Sequence, residues 1–384
     1  MGYGGHTPLP FSIEEVAQLN GLNVTRNKCP FCGGRTSFGI SRSKQMWNCM
    51  RCGEKGNAIT LHAKLHNMSN SEAYKDIQNS LKNFSGVMTQ PSSRPDKAES
   101  MCQIADIDKR DAVYRAMLEI CKLDDNHKAD MEKRGFLEKE LATFGTFDIK
   151  RDNDRSLFAR NLIKQGFHLE GIPGFYIDST NSWTTAYSKR GILVPYVSFD
   201  NKVQGLQIRK DTKLLRRFSD GKLEHKYSWF SSGYIPSSAK PDSGTRATTF
   251  VHYACSFRYS EMKKSYVPEF TDGTFYLTEG AMKADLVHNI TGRAYIAVPG
   301  VNALPQLEAE LKKLRRIGVR RIINAYDMDY LTNEHVAEAV GKTETMIRDE
   351  GFEYNRMTWD TKNGILKGID DYCAYYYRQN HDEE

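Results

Sequence analysis

The chain has 384 residues, with 54 Lys and Arg against 48 Asp and Glu, a formal net charge of +6, and 39% hydrophobic residues. That length suits two or three domains with a sizeable core, and the charge is a modest bias, compatible with nucleic acid without requiring it. No apolar run approaches the roughly 20 residues of a membrane span, MGYGGHTPLP lacks the apolar stretch of a secretory signal, and His6 stands where a myristoylation signal needs Ser or Thr, so a soluble cytoplasmic protein is expected.

The first block, residues 1–84, holds a cysteine cluster followed by a helical stretch, AITLHAKLHNMSNSEAYKDIQNSL. The cluster reads Cys29-x2-Cys32, sixteen residues, then Cys49-x2-Cys52, in the contexts CPFCGG and CMRCGEKG. Two such knuckles present four thiolates to one structural Zn²⁺ and leave no open position for catalysis. Glycines after each pair let the backbone turn around the metal. A zinc ribbon serves as a staple where a segment is too small to hold a core. It can also read nucleic acid: Phe38, Arg42, Lys44 and Trp47 lie on the intervening ribbon and could stack on bases and touch phosphates. The competing reading is that such aromatics are the ribbon's own core. The other cysteines, Cys102, Cys121, Cys255 and Cys373, are scattered and read as buried thiols.

Residues 85–103 form a Ser- and Pro-rich stretch without hydrophobic periodicity, expected to be a flexible linker. Residues 104–268 begin with a helical segment to about 145 and continue as mixed β-rich sequence dense in basic and aromatic residues. The run GLQIRKDTKLLRRFSDGKLEHK makes Arg209, Lys210, Arg216, Arg217 and Lys226 candidates for phosphate contact. A second basic run, KKLRRIGVRR at 312–321, reads as helix surface.

Residues 269–384 alternate strand and helix. FYLTE, AYIAVP, RIINAY and NRMTW read as strands. AMKADLVHN, LPQLEAELKKLRRIG, NEHVAEAVGKTETMIRDEG and DDYCAYYYRQ read as helices. That spacing predicts a parallel sheet with covering helices. Gly341-Lys342-Thr343 resembles the end of a phosphate loop, but Val336 occupies the position of the required glycine and the tripeptide falls within a helix.

The acids carry the chemistry. Glu279 ends one strand at a strand-to-helix turn made sharp by Gly280. Asp327 and Asp329 follow another strand, in NAYDMDY, and on extended chain both would face one side. Asp370 and Asp371 follow the fourth strand. Carboxylates brought together at successive strand ends, where α/β sheets place their sites, repel unless a cation shares them, and hard oxygen ligands suit Mg²⁺ or Mn²⁺. Two such ions on Glu279, Asp327 and Asp329 would activate a hydroxyl and stabilise a pyrophosphate leaving group. Helix capping is the alternative for Asp327, Asp329 and Asp370.

Together these segments resemble the bacterial-type (DnaG-like) DNA primases and their phage relatives. CPFC…WNCMRCGEKGNAITL resembles their zinc-binding domain, with Cys32 nearer the all-cysteine phage forms. MEKRGFLEKELATFG is similar to a helical family segment. RGILVPYVSFDNKVQGLQIRK, ending near Arg209, resembles the start of the catalytic core. HKYSWFSSG resembles its lysine-bearing segment, with Lys226. LTEGAMKADL, NAYDMDY and KGIDDY resemble the three acidic motifs of a Toprim domain. Lys283 departs from the family, standing where cellular members carry an aspartate: a cation there could substitute for one metal or face outward, and Lys283 is also a candidate nucleotide contact. A shorter third motif leaves open whether Asp370 or Asp371 is the ligand.

The resemblance implies a multi-domain α/β fold: a β zinc ribbon, a mixed α+β basic core and a C-terminal Toprim sheet. It implies an enzyme that synthesises short RNA primers from ribonucleoside triphosphates on single-stranded DNA, using one structural Zn²⁺ and two catalytic Mg²⁺ or Mn²⁺. With no helicase-binding region following, a stand-alone form of a phage, plasmid or other mobile element is expected. It would work in the bacterial host cytoplasm with a replicative helicase or initiator in trans. Alternatives of other classes are a Toprim nuclease or topoisomerase-like enzyme, and a non-catalytic recombination mediator that binds DNA.

Overall fold

The structure, a computed structural model, describes residues 11–22, 28–34, 37–41, 45–83, 102–149, 151–187, 189–217, 223–300 and 303–381. Most of the expected linker, together with Arg42 and Lys44, lies outside the described residues. The chain divides into two compact units, residues 1–95 and, apart from 219–221, residues 96–384.

The first unit opens with helix α1 (Ile13–Leu19), started by a capping box in which Ser12 and Glu15 satisfy each other's backbone amides. The ribbon follows as β1 (Phe38–Ser41), β2 (Met46–Cys49) and the short β3 (Lys55–Gly56), joined antiparallel in that order. Helices α2 (Ala58–His66) and α3 (Asn70–Asn83) complete it. Burial alternates along β2: Trp47 and Cys49 face inward, Met46 and Asn48 outward. Phe38, Trp47, Leu61 and Ile77 are central to a small core, of the kind that a metal normally supplements at this size.

The second unit begins with α4 (Ile107–Ile120) and α5 (Asp125–Arg134), the latter ended by Gly135 in the left-handed region. Next come β4 (Gly145–Phe147), α6 (Asp152–Lys164), β5 (Phe175–Ile177) and β6 (Trp183–Thr185). The long strands β7 (Gly191–Val197) and β8 (Val203–Lys210) then pair antiparallel, with β9 (Tyr227–Trp229) outside β8 and β4 outside β7. Both long strands are buried almost throughout, one face against α4 and α6 through Leu193, Leu206 and Ile208, the other through Ile192, Val194 and Tyr196.

After β10 (His252–Ala254) and the hairpin β11 (Phe257–Ser260) and β12 (Ser265–Pro268), the alternating part runs as expected: β13 (Thr274–Glu279), α7 (Ala281–Thr291), β14 (Tyr295–Val298), α8 (Leu304–Arg316), β15 (Arg321–Asn324), α9 (Glu334–Asp349), β16 (Glu353–Arg356) and α10 (Ile369–His381). The sheet order is β10-β14-β13-β15-β16; β13 to β16 pair parallel and β10 antiparallel. The fourth parallel strand begins earlier than NRMTW suggested, because Tyr354 rather than Met357 fills the inward position beside Ile322.

Helix α7 buries apolar residues on two sides. Ala281, Met282 and Leu286 join the core formed by β7, while Ala284 and Val287 pack with the α10 side. With β10, at 252–254, hydrogen-bonded into the same sheet, residues 104–268 and 269–384 share one packed interior. Gly341-Lys342-Thr343 lies inside α9, where Thr343 is buried and donates to the Ala339 carbonyl. The lysines of KKLRRIGVRR are helix surface, with Lys312 paired to Glu308 at 2.6 Å and Lys313 to Glu310 at 2.7 Å, while Leu314 and Val319 of the same run are buried.

Candidate metal centres and acidic rim

The four cysteines of the first unit converge. Their sulfurs all lie within 4.8 Å of one another, with Cys29–Cys52 at 3.9 Å and Cys32–Cys49 at 3.7 Å. A tetrahedron of zinc–sulfur bonds near 2.3 Å has edges of about 3.8 Å, so the set fits a Zn²⁺. The two knuckles repeat one pattern: Gly33 N–H donates to the Cys29 carbonyl at 2.9 Å, and Gly53 N–H to the Cys49 carbonyl at 3.0 Å. The Arg51 amide also points at the Cys49 sulfur at 3.4 Å, a donor that stabilises thiolate.

Trp47 does not serve the stacking role considered for it. It is 1% exposed, packs on Phe31 and Phe38, and its indole N–H donates to the Asn57 carbonyl at 3.1 Å. Phe38 is equally buried. Both are the ribbon's core, and the outward face of β2 offers Met46 and Asn48, with Met50 84% exposed beyond them.

In the second unit the acids stand at a switch point. From β13 the chain passes through α7 to β14 on one side, then through α8 to β15 on the other side of β13, which opens a crevice at the carboxyl ends of β13 and β15. Leu277 is in register with Asn324, and the Ala325 amide still bonds the Leu277 carbonyl at 2.8 Å. Glu279, the last residue of β13, and Asp327, just beyond β15, therefore flank that crevice. Gly280 makes the turn into α7 with φ of +87°, a conformation a side chain disfavours.

Asn324 aims the second segment. It is 1% exposed, donates to the Tyr354 hydroxyl at 3.0 Å and accepts from the Tyr326 amide at 2.9 Å, ending the strand. A 3-10 turn, Met328–Leu331, starts at Asp327. Asp327 and Asp329 are thus not alternating residues of extended chain, as expected, and they take different partners. Asp327 accepts from the Lys283 ammonium, while Asp329 pairs with Lys367 at 2.5 Å.

The third segment separates its two acids. Asp371, in the first turn of α10, reaches back to the Gly368 amide at 3.3 Å, as a capping carboxylate does. Asp370 turns toward the rim: its side chain is 13% exposed, 3.7 Å from the Lys283 ammonium, and its buried Oδ1 has no hydrogen-bond partner. A Cβ built on Gly368 would fall 2.2 Å from Asp370 Oδ1, 2.9 Å from Lys283 Nζ and 3.3 Å from Asp327 Oδ1, so these three groups crowd one small space.

Glu279 is half-buried and its carboxyl is held above the usual range, by burial first and then by the charge of Asp327, with Lys283 pulling the other way. Burial would lower the Lys283 ammonium, but Asp370 and Asp327 more than offset it and raise it above the ordinary lysine value. Among the described residues, the four cysteines are the only group of three or more ligands brought within 4.8 Å of one another. Glu279, Asp327 and Asp329 therefore do not form the tight cage expected of them; lysines stand among the carboxylates. The orphaned, buried Asp370 oxygen is the feature of this rim that fits a divalent cation. Lys283, Lys367, Gly368 and Asn324 complete the arrangement. Of these only Lys283 was legible as a site residue.

Of the basic candidates, Lys210 is 5% exposed and holds Glu224 and the His225 carbonyl, each at 2.9 Å, so it is a structural clip rather than a phosphate contact. Arg209 is 8% exposed and donates to Asp130 at 2.6 Å. Lys226 is more accessible. Burial, then the charges of Arg209 and Arg134, hold it below the usual ammonium range, with Asp130 opposing. Arg134, Arg209 and Lys226 are thus a cationic group with Asp130 as its counter-charge.

Residues 18–90 match the family of the CHC2 zinc finger, the zinc ribbon of DnaG, and residues 267–379 match a domain of unknown function, DUF3854. A DNA primase of Clostridium acetobutylicum is 28% identical over 185 residues, 46% of this chain and 29% of that protein, so the match spans under a third of that curated relative. Among solved structures, the zinc-binding and RNA polymerase domains of the Aquifex aeolicus primase align with a TM-score of 0.44 and 15% identity, over 96% of this chain and 82% of that one. The RNA polymerase domain of Mycobacterium tuberculosis primase DnaG aligns with a TM-score of 0.44 and 16% identity, over 71% and 81%. The chain is similar to DnaG-like primases, and no helix among the described residues is long and apolar enough to cross a membrane.

Proposed function

We propose that this chain is a primase, an enzyme that joins ribonucleoside triphosphates into short RNA on a single-stranded DNA template. The observation that carries the reading is the placement of Glu279 and Asp327 on either side of the switch-point crevice, with Asp370 beside them. The similarity of the zinc ribbon and of 185 residues to primases supports it.

Within this reading, Glu279, Asp327 and Asp370 hold Mg²⁺ or Mn²⁺, with Asp329 close by. Bound there, the cation supplies Lewis-acid stabilisation of the pyrophosphate leaving group and lowers the pKa of an attacking 3′-hydroxyl. The protein's own share is positional. Asn324 and the 3-10 turn fix Asp327, and the packing of α7 against β7 fixes the turn that carries Glu279. Glu279, kept from easy ionisation by burial, is suited to take the hydroxyl proton once charge at the rim is balanced. Lys226 and Arg209 would neutralise the polyphosphate or the template backbone, and the zinc ribbon would hold the template.

The test is incorporation of labelled ribonucleotides on random-sequence single strands, with and without Mg²⁺, followed by sequencing of product 5′ ends. The double variant Asp327→Ala, Asp329→Ala should lose synthesis and keep single-strand binding. Synthesis by that variant would refute the site. Metal-dependent cutting without nucleotides would indicate a nuclease, and single-strand binding without incorporation would indicate a mediator.

A further inference from the structure

Resting on the reading of this rim as a metal-assisted phosphoryl-transfer site, we infer that Lys283 takes the place of one divalent cation, so that the protein itself holds one ion at the rim rather than two. The Lys283 side chain is 15% exposed, and its ammonium hydrogen-bonds Asp327 and lies 3.7 Å from Asp370. Lys283 Nζ, Asp370 Oδ1 and Asp327 Oδ1 all lie within 3.3 Å of the point where a Cβ on Gly368 would stand. An ammonium has three donors and no lone pair. It uses up an Asp327 oxygen that a second ion would need and supplies positive charge where that ion would sit.

The charge count agrees. By formal charge Glu279, Asp327, Asp329 and Asp370 count four negative, and Lys283 and Lys367 return two. One divalent cation balances what remains, and two would leave an excess of positive charge in a partly buried site. Lys367 does not compete for this role, since it is 57% exposed and pairs with the more open Asp329.

The experiment counts Mn²⁺ by electron paramagnetic resonance during titration of the zinc-loaded full chain, without nucleotide, with the rim count defined as the binding lost in Asp370→Asn. The wild type should bind one Mn²⁺ at the rim. Lys283→Gln should bind two, and Lys283→Arg, which keeps the charge, should bind one. Zinc content and the thermal transition confirm that each variant is folded. If Lys283→Gln does not fold, the wild type and Lys283→Arg still decide the matter. Two ions in the wild type, or one ion in a folded Lys283→Gln, would overturn the inference and leave the metal site standing. No ion at the rim in any form would instead remove the metal-site reading on which it rests.

Discussion

The guanidinium of Arg209, at the end of β8, donates to the carboxylate of Asp130 on α5 at 2.6 Å. This pair bears on the charge around Lys226, because Asp130 is the counter-charge for Lys226 as well. Replacing Lys226 with Ala should weaken single-strand binding and lower the slope of log affinity against log salt by about 0.7, one phosphate contact. Asp130→Asn should do the reverse and tighten binding at low salt. Fluorescence anisotropy of a labelled strand through a salt titration reads both, and unchanged slopes would make the cluster a structural one.

Glu224 carries a pH-dependent part of the stability. Burial would raise its carboxyl, but Lys189 and Lys210 pull it down to about 2. Its folded-state value is below the unfolded one, so its contribution is present above the ordinary glutamate value near 4.5 and is lost as pH falls toward 2. Glu224→Gln leaves the buried Lys210 without its anion and should cost about 1–3 kcal/mol at neutral pH. Denaturant melts at pH 7 and pH 3 should show the gap between wild type and variant narrowing at the lower pH. A constant gap would mean that the carboxylate charge is not the source.

Strand–helix alternation in residues 269–384 was legible because each element repeats its apolar residues at its own period, and the zinc set because four cysteines at knuckle spacing have few other uses. What was hidden lay in partners distant in sequence. Nothing in NAYDMDY says that Asn324 will bond Tyr354, end the strand and turn Asp329 away from Asp327. The aromatic ribbon misled because Trp47 alternates with Met46 and Asn48, and a run this short does not declare which face is inward until α2 covers it. Lys210 misled for the converse reason, since its clip to Glu224 crosses a hairpin that composition reads only as charge.

The first unit should depend on its metal. Its core gathers around Trp47, Phe38 and the two buried thiols Cys29 and Cys49, a small apolar interior for a segment of this size. Cys32→Ser, or chelation at neutral pH, should release zinc and open residues 1–95 to protease while the second unit keeps its own transition. Zinc determined by mass spectrometry alongside limited proteolysis checks this, and full protection after complete zinc loss would show that the apolar core suffices.

The two acids of KGIDDY should part company on mutation. Asp371 caps α10 by accepting from the Gly368 amide, so Asp371→Asn should cost about 1 kcal/mol of stability and leave primer synthesis in place. Asp370 presents a buried oxygen without a hydrogen-bond partner toward Lys283, so Asp370→Asn should cut synthesis and Mn²⁺ affinity by at least about 100-fold with little change in melting temperature. Gly368→Ala tests the same space without touching a charge. Its methyl group would come 2.2 Å from Asp370 Oδ1 and 2.9 Å from Lys283 Nζ, so one of them must move, and synthesis should fall with Asp370→Asn rather than with Asp371→Asn. Parallel assays of the three variants settle which carboxylate faces the ion. Loss of synthesis in Asp371→Asn with Asp370→Asn active would reverse the assignment.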